Sequence, residues 1–146
     1  EVPTPHKAAC ACLPEPTQIV EADEVLRASQ TGEQLIIDAR PDRRFSGEFE
    51  PLDPVAGHVP GAINWPFDEN LDVDGTYLPP EALRENYQAL LKGKPAWQVI
   101  HMCGSGVTAC HNLLAMEIAG LPGSRLYPGS WSEWITDPAR PVATGE

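Results

Sequence analysis

Apolar positions along this chain follow two rhythms, and the two alternate. Leu35-Ile36-Ile37 is a continuous apolar run, and Trp97 to Met102 is largely apolar. Each has the length of a strand covered on both faces. Leu83, Tyr87, Leu90 and Leu91 recur at helical spacing, as do Val107, Cys110, Leu114 and Ile118. Shorter strands are expected at Thr17 to Val20, Ala62 to Phe67 and Arg125 to Tyr127. A short helix over Glu21 to Ser29 would bury Val25 and Leu26. Strands alternating with helices predict an α/β fold: a mostly parallel, five-stranded central sheet with helices on both faces.

Punctuation supports that reading. Gly32 ends the first helical unit, and Pro41 stops the strand that ends at Asp38-Ala39-Arg40. Residues 41–61 hold four prolines and three glycines, so a long excursion is expected there. Pro79-Pro80-Glu81 opens a helix that Gly93 closes, and a terminal turn or helix is expected over Gly129 to Ile135. Residues 1–16 carry four prolines and no periodicity. They read as a linker or flexible arm, which leaves 17–146 as the domain.

Length and charge narrow the function. A chain of 146 residues suits one domain with a full core. With Glu rather than Met in first place, a fragment or a processed product is expected. Composition is that of a soluble globular protein, with no basic-then-apolar leader and no apolar run of membrane-spanning length. A net charge of −11 argues against nucleic acid and requires that any anionic substrate meet local positive potential. Ten basic residues are present, and Arg40, Arg43 and Arg44 crowd just past a predicted strand. Four cysteines are too few for a disulfide scaffold, so a reducing, cytoplasmic setting is expected.

The strongest chemical signal is Cys103-Gly104-Ser105-Gly106-Val107-Thr108, between a predicted strand and a predicted helix. Sites in open α/β sheets gather at the carboxyl ends of strands. The glycines let the chain curl so that successive amide N–H groups, with the helix dipole, can form an anion nest. Such donors favour a thiolate at Cys103 and would equally hold a persulfide.

This loop resembles that of the mercaptopyruvate sulfurtransferases within the rhodanese family. Asp38-Ala39-Arg40 with Arg44-Phe45, Gly57-His58-Val59-Pro60-Gly61-Ala62-Ile63-Asn64 and Gly129-Ser130-Trp131-Ser132-Glu133-Trp134 resemble the same family in order and spacing. The resemblance covers about 17–140, in the manner of the catalytic second half of a two-domain enzyme. It implies a sulfurtransferase with Cys103 as nucleophile and sulfur carrier, and with Arg44 holding the donor's anionic group. The backbone amides of Gly104, Ser105, Gly106, Val107 and Thr108 would cradle the sulfur and bind the substrate, with Ser105 able to hydrogen-bond the donor or relay a proton. It implies no metal or organic cofactor, a thiol, cyanide or thioredoxin-like acceptor, and an N-terminal rhodanese-like companion domain. Gly104-Ser105 stands where thiosulfate-preferring relatives usually carry Arg-Lys, which favours 3-mercaptopyruvate over thiosulfate. Leu52 occupies a position where mercaptopyruvate enzymes often place a second arginine, leaving Arg43 or a different donor as the alternatives.

Rival readings are weaker. Cysteine phosphatases of related fold need Cys-x5-Arg, and the arginine position here is Ala109. A non-catalytic binding module is disfavoured while Cys103 and Arg44 are both present. Cys10 and Cys12 near His6 match no common zinc pattern, and Cys110 reads as packing. Asp38 and His58 read as braces of their loops. Trp131 and Trp134 read as either cleft walls or core.

Overall fold

A computed structural model describes residues 8, 9, 11–13 and 15–145. The arm expected over 1–16 lies largely outside them, as do His6 and Cys10. Pro16–Gln18 form a single 3-10 turn, and the elements follow from there. They are α1 (Ala22–Thr31), β1 (Leu35–Asp38), α2 (Asp42–Phe45), β2 (Ile63–Asn64) and α3 (Pro80–Leu91). After them come β3 (Val99–Met102), α4 (Val107–Ile118), β4 (Arg125–Leu126) and α5 (Ser130–Trp134).

The sheet is parallel throughout, in the order β2-β1-β3-β4. Among the described residues it has four strands rather than five. The expected strand at Thr17 to Val20 is reduced to one bridge between Ile19 and Leu126, with the Val20 N–H donating to Leu126 O at 2.9 Å. Pro16 stands immediately before that segment, and a proline cannot donate to a ladder.

Strand side chains alternate between two cores. Ile36, Ile100 and Met102 point toward α1 and α5, where they meet Val25, Tyr127, Trp131 and Trp134. Ile37 and Val99 point toward α3 and α4, against Leu83, Tyr87, Ala115 and Met116. β1 and β3 are buried along almost their whole length, as strands covered on both faces must be, but the second begins at Val99 rather than Trp97, which is exposed in a 3-10 turn over Ala96–Gln98.

The buried face of α4 differs from the expected one. Ala109, Asn112, Ala115 and Met116 face inward, while Val107, Cys110 and Leu114 are exposed. The alanines let the helix lie close to the sheet, and close approach outranks the size of the apolar residues that would otherwise turn in. No helix among the described residues is long and apolar enough to cross a membrane.

His101 on β3 is fully buried, with Nε2 3.2 Å from Met116 Sδ and no partner for Nδ1 among the described residues. Burial pushes its pKa down from 6.5 to about 3. Between those values the unfolded chain binds a proton that the folded chain refuses, so stability falls as pH drops from 6.5 toward 3. Urea unfolding over that pH range is expected to show a shallower decline in His101→Leu than in the unsubstituted protein.

Candidate active site

β3 ends at Met102, and the chain reverses into α4 within four residues. Gly106 makes the reversal with φ +85°; a β-carbon there would sit 2.5 Å from the carbonyl oxygen of Pro128. Only glycine tolerates both conditions. Cys103 opens this turn with 2% of its surface exposed, packed beside Ala39 and Ala109.

Hydrogen bonds fix the loop from both sides. The Gly106 N–H donates to Cys103 Sγ at 3.2 Å. The Cys103 N–H donates to Ser130 Oγ at 3.0 Å, and that hydroxyl donates to Tyr127 O at 2.9 Å. The N–H groups of Trp131 and Ser132 donate to the carbonyls of Cys103 and Gly104, each at 2.9 Å. Ser130 itself has φ +54°, an uncommon conformation for a residue with a β-carbon, held by this bonding. α5 therefore clamps the turn. Of the five amides expected to cradle the sulfur, Gly106's reaches it, while those of Gly104 and Ser105 make no hydrogen bond to protein among the described residues.

Cys103, Gly104, Ser105, Val107, Thr108 and Arg44 line one cavity of about 160 Å³. At about 30 Å³ per water it has room for roughly five waters, the scale of a small organic anion. Arg40, Pro41 and Phe67 complete the wall. The Arg44 guanidinium lies over Gly104, with Nη1 3.3 Å from where a β-carbon at that glycine would sit. Gly106 stands behind the cavity, acting through its amide.

Two carboxylates hold Arg44. Its Nε donates to Glu50 Oε1 and Oε2 at 3.1 and 3.0 Å, and its Nη2 donates to Asp53 Oδ2 at 3.1 Å. Burial pushes the Glu50 carboxyl up. Hydrogen bonds from Arg44 and from the amides of Leu52 and Asp53 outweigh that, so its pKa ends below the usual 4.5. Sequence reasoning missed Glu50, Asp53, Phe67 and Ser130 as neighbours of the site. Ser130 alone had a signal, its place in the Gly-Ser-Trp segment.

Arg43, the alternative to the arginine missing at Leu52, is not in the site. It is exposed, pairs with Glu48 at 3.0 Å and lies over the Phe49 ring. Asp38 and His58 brace, as expected. Asp38 pairs with Arg40 at 2.8 Å, and His58 stacks on Phe45 with Nδ1 2.8 Å from Phe45 O. Trp131 and Trp134 are core residues. Cys110 is exposed, against the packing role expected of it, because its face of α4 turns outward. A larger cavity of about 510 Å³ lies at the opposite, N-terminal end of the strands, lined by Glu24, Trp97 and Arg125 and without a nucleophile.

Residues 21–137 match the family model described as the rhodanese-like domain. The chain belongs to the rhodanese family. Similar proteins include one from Pseudomonas aeruginosa named "Probable 3-mercaptopyruvate sulfurtransferase", 60% identical over 76% of this chain and 39% of its own. The 3-mercaptopyruvate sulfurtransferase of Rattus norvegicus is 37% identical over 86% of this chain and 42% of its own. Among solved structures, the Tum1 protein of Saccharomyces cerevisiae superposes with TM-score 0.75 at 32% identity, covering 88% of this chain and 47% of that one. This rhodanese domain thus spans about two fifths of the length of the curated relatives it matches.

In this rhodanese domain Gly106→Ala combines a left-handed backbone with a collision at Pro128. It is expected to lower unfolding stability by about 2 kcal/mol or more in urea titrations.

Proposed function

We propose that this domain is a sulfurtransferase that moves a sulfane sulfur from a small anionic donor to a thiol or cyanide through a persulfide on Cys103. The observation that carries this reading is a cysteine at the base of a small cavity, its sulfur met by a backbone N–H and a guanidinium poised over the adjacent glycine.

The donor binds with its anionic group on Arg44, whose forked N–H groups suit paired oxygens. The Cys103 thiolate attacks the donor's transferable sulfur. With 3-mercaptopyruvate the carbon–sulfur bond breaks, its electron pair goes to carbon, and pyruvate leaves after protonation. With thiosulfate the sulfur–sulfur bond breaks and sulfite leaves. The Gly106 N–H stabilises the negative charge on Sγ of the thiolate, before attack on the donor and again when the outer sulfur is handed on. An acceptor thiolate then attacks the outer sulfur and regenerates Cys103, a ping-pong sequence. Nothing in this sequence calls for a metal or an organic cofactor.

We favour 3-mercaptopyruvate as donor. The neutral Gly104-Ser105 pair puts no fixed cation beside the sulfur for a dianion, and relatives at 60% and 37% identity carry that substrate's name. Thiosulfate is the second reading, because a Mycobacterium tuberculosis relative 45% identical over 82% of this chain is named for it. We read 17–146 as the catalytic unit and 1–16 as an arm that joins it to a preceding rhodanese-like domain in the whole protein. We also read thioredoxin-like dithiols as acceptors in a reducing, cytoplasmic setting.

Mass spectrometry after donor treatment tests the chemistry directly. A gain of one sulfur atom on Cys103 is expected, absent in Cys103→Ser; a persulfide elsewhere, or none, would contradict the assignment. Arg44→Ala removes a charged hydrogen-bond partner of the donor, so KM for 3-mercaptopyruvate should rise about tenfold to a hundredfold. An unchanged KM would remove Arg44 from the binding role.

A further inference from the structure

We infer that Asp53 is a specificity-determining residue that sets donor preference by charge, through its hold on Arg44. The inference rests on the reading of the Cys103 cavity as the site for an anionic donor.

Arg44 is the arginine over Gly104 in a cavity whose wall also includes the buried Arg40, and most of its donor capacity is spent on acids. Nε is shared between both oxygens of Glu50, and Nη2 lies 2.9 Å from Glu50 Oε1 and 3.1 Å from Asp53 Oδ2. Nη1 and Nη2 both lie beside Gly104, 3.3 and 3.4 Å from where its β-carbon would sit, and of the two Nη1 makes no hydrogen bond among the described residues. The two carboxylates are anchored very differently. Glu50 is tied into the protein by the amides of Leu52 and Asp53 at 3.0 and 3.1 Å and lies 3.5 Å from Arg40. Asp53 has Arg44 on one oxygen and the Ser132 hydroxyl on the other at 2.8 Å. Glu50 is therefore a structural counter-ion, whereas Asp53 is a charge set against the substrate-facing edge of Arg44.

Arg44 alone would attract an anion in proportion to the anion's charge. Arg40 and Asp38 cancel as a pair, so Arg44 with the carboxylates of Glu50 and Asp53 leaves the local sum one charge negative, and the second carboxylate opposes every added unit of donor charge. The penalty grows with donor charge, so it falls harder on dianionic thiosulfate than on a donor bearing one carboxylate. Asp53 also holds Nη2, leaving Nη1 as the nitrogen open to a donor oxygen unless the carboxylate gives way. Ser132 connects this selection to the reactive turn, since its hydroxyl donates to Asp53 while its N–H donates to Gly104 O at 2.9 Å.

The test is equilibrium binding in the full chain, carried in Cys103→Ser so that no sulfur is transferred. Pyruvate serves as the monoanion and thiosulfate as the dianion, each titrated calorimetrically with and without Asp53→Asn. Removing one charge a few ångströms away in a hydrated pocket is expected to tighten pyruvate about threefold and thiosulfate about tenfold. Unchanged affinities, or equal gains for the two anions, would overturn the inference; equal gains would mean only that Nη2 had been released. Asp53→Ala provides the same comparison should the amide variant not fold. Persulfide formation on the unsubstituted Cys103 is read separately. If the charge-graded tightening is seen without a persulfide, the sulfurtransferase reading falls and the role of Asp53 stands. If the persulfide forms and the tightening is absent, the role of Asp53 falls alone.

Discussion

The ion pair between Arg40 and Asp38 organises one whole end of the molecule. Both side chains are buried at the carboxyl end of β1, and the guanidinium satisfies its donors in three directions. Nε reaches both oxygens of Asp38, Nη2 reaches Asp38 and Gly57 O, each at 2.8 Å, and Nη1 points to Glu50. Its face lies 4.8 Å from the Trp131 ring centroid on α5. One side chain thus ties β1, the long excursion and α5 together. Removing one partner of such a pair typically costs about 3–5 kcal/mol, because a buried charge is left without compensation. Glu50, placed partly by Arg40, in turn holds Arg44, so the geometry of the cavity rim is inherited from the interior.

That arrangement answers the question raised by a net charge of −11. Long-range attraction of an anion to such a surface is unfavourable, and any useful positive potential must be short-ranged. The fold provides it sparingly. The Arg44 guanidinium and a few loop amides meet a cavity of about 160 Å³, Arg40 in its wall is neutralised by Asp38, and acidic neighbours hold Arg44 in place. Rigidity and charge are traded here: the carboxylates that fix Arg44 also reduce its pull on a substrate.

The reactive turn has a similar economy. Gly106 supplies a backbone shape that no other residue accepts so close to Pro128, and its amide is spent on the Cys103 sulfur. The other side of the turn is held by α5 through Ser130, whose strained backbone places a hydroxyl where the Cys103 N–H needs an acceptor. A short terminal helix therefore decides the orientation of a nucleophile 27 residues earlier in the chain.

Much was legible in the residues themselves. Apolar runs located β1 and β3, breakers bounded the excursion, and the glycines around Cys103 marked a sharp strand-to-helix turn, because each of these signals is local. Three features were not. The first strand shrank to one bridge at Ile19, since pairing depends on a partner edge more than 100 residues away. α4 is apolar on most sides, so its periodicity alone did not say that Ala109, Ala115 and Met116 would turn inward; the closeness of the sheet chose the small residues. Nor did the sequence mark Glu50 and Asp53 as the acids that reach Arg44, or Arg43 as the arginine that faces solvent. Pattern along the chain determines which segments become strands, helices and tight turns, because those depend on neighbours a few residues apart. Which face is buried and which charge meets which is decided only when distant segments pack to contact, where a few ångströms separate a hydrogen bond from none.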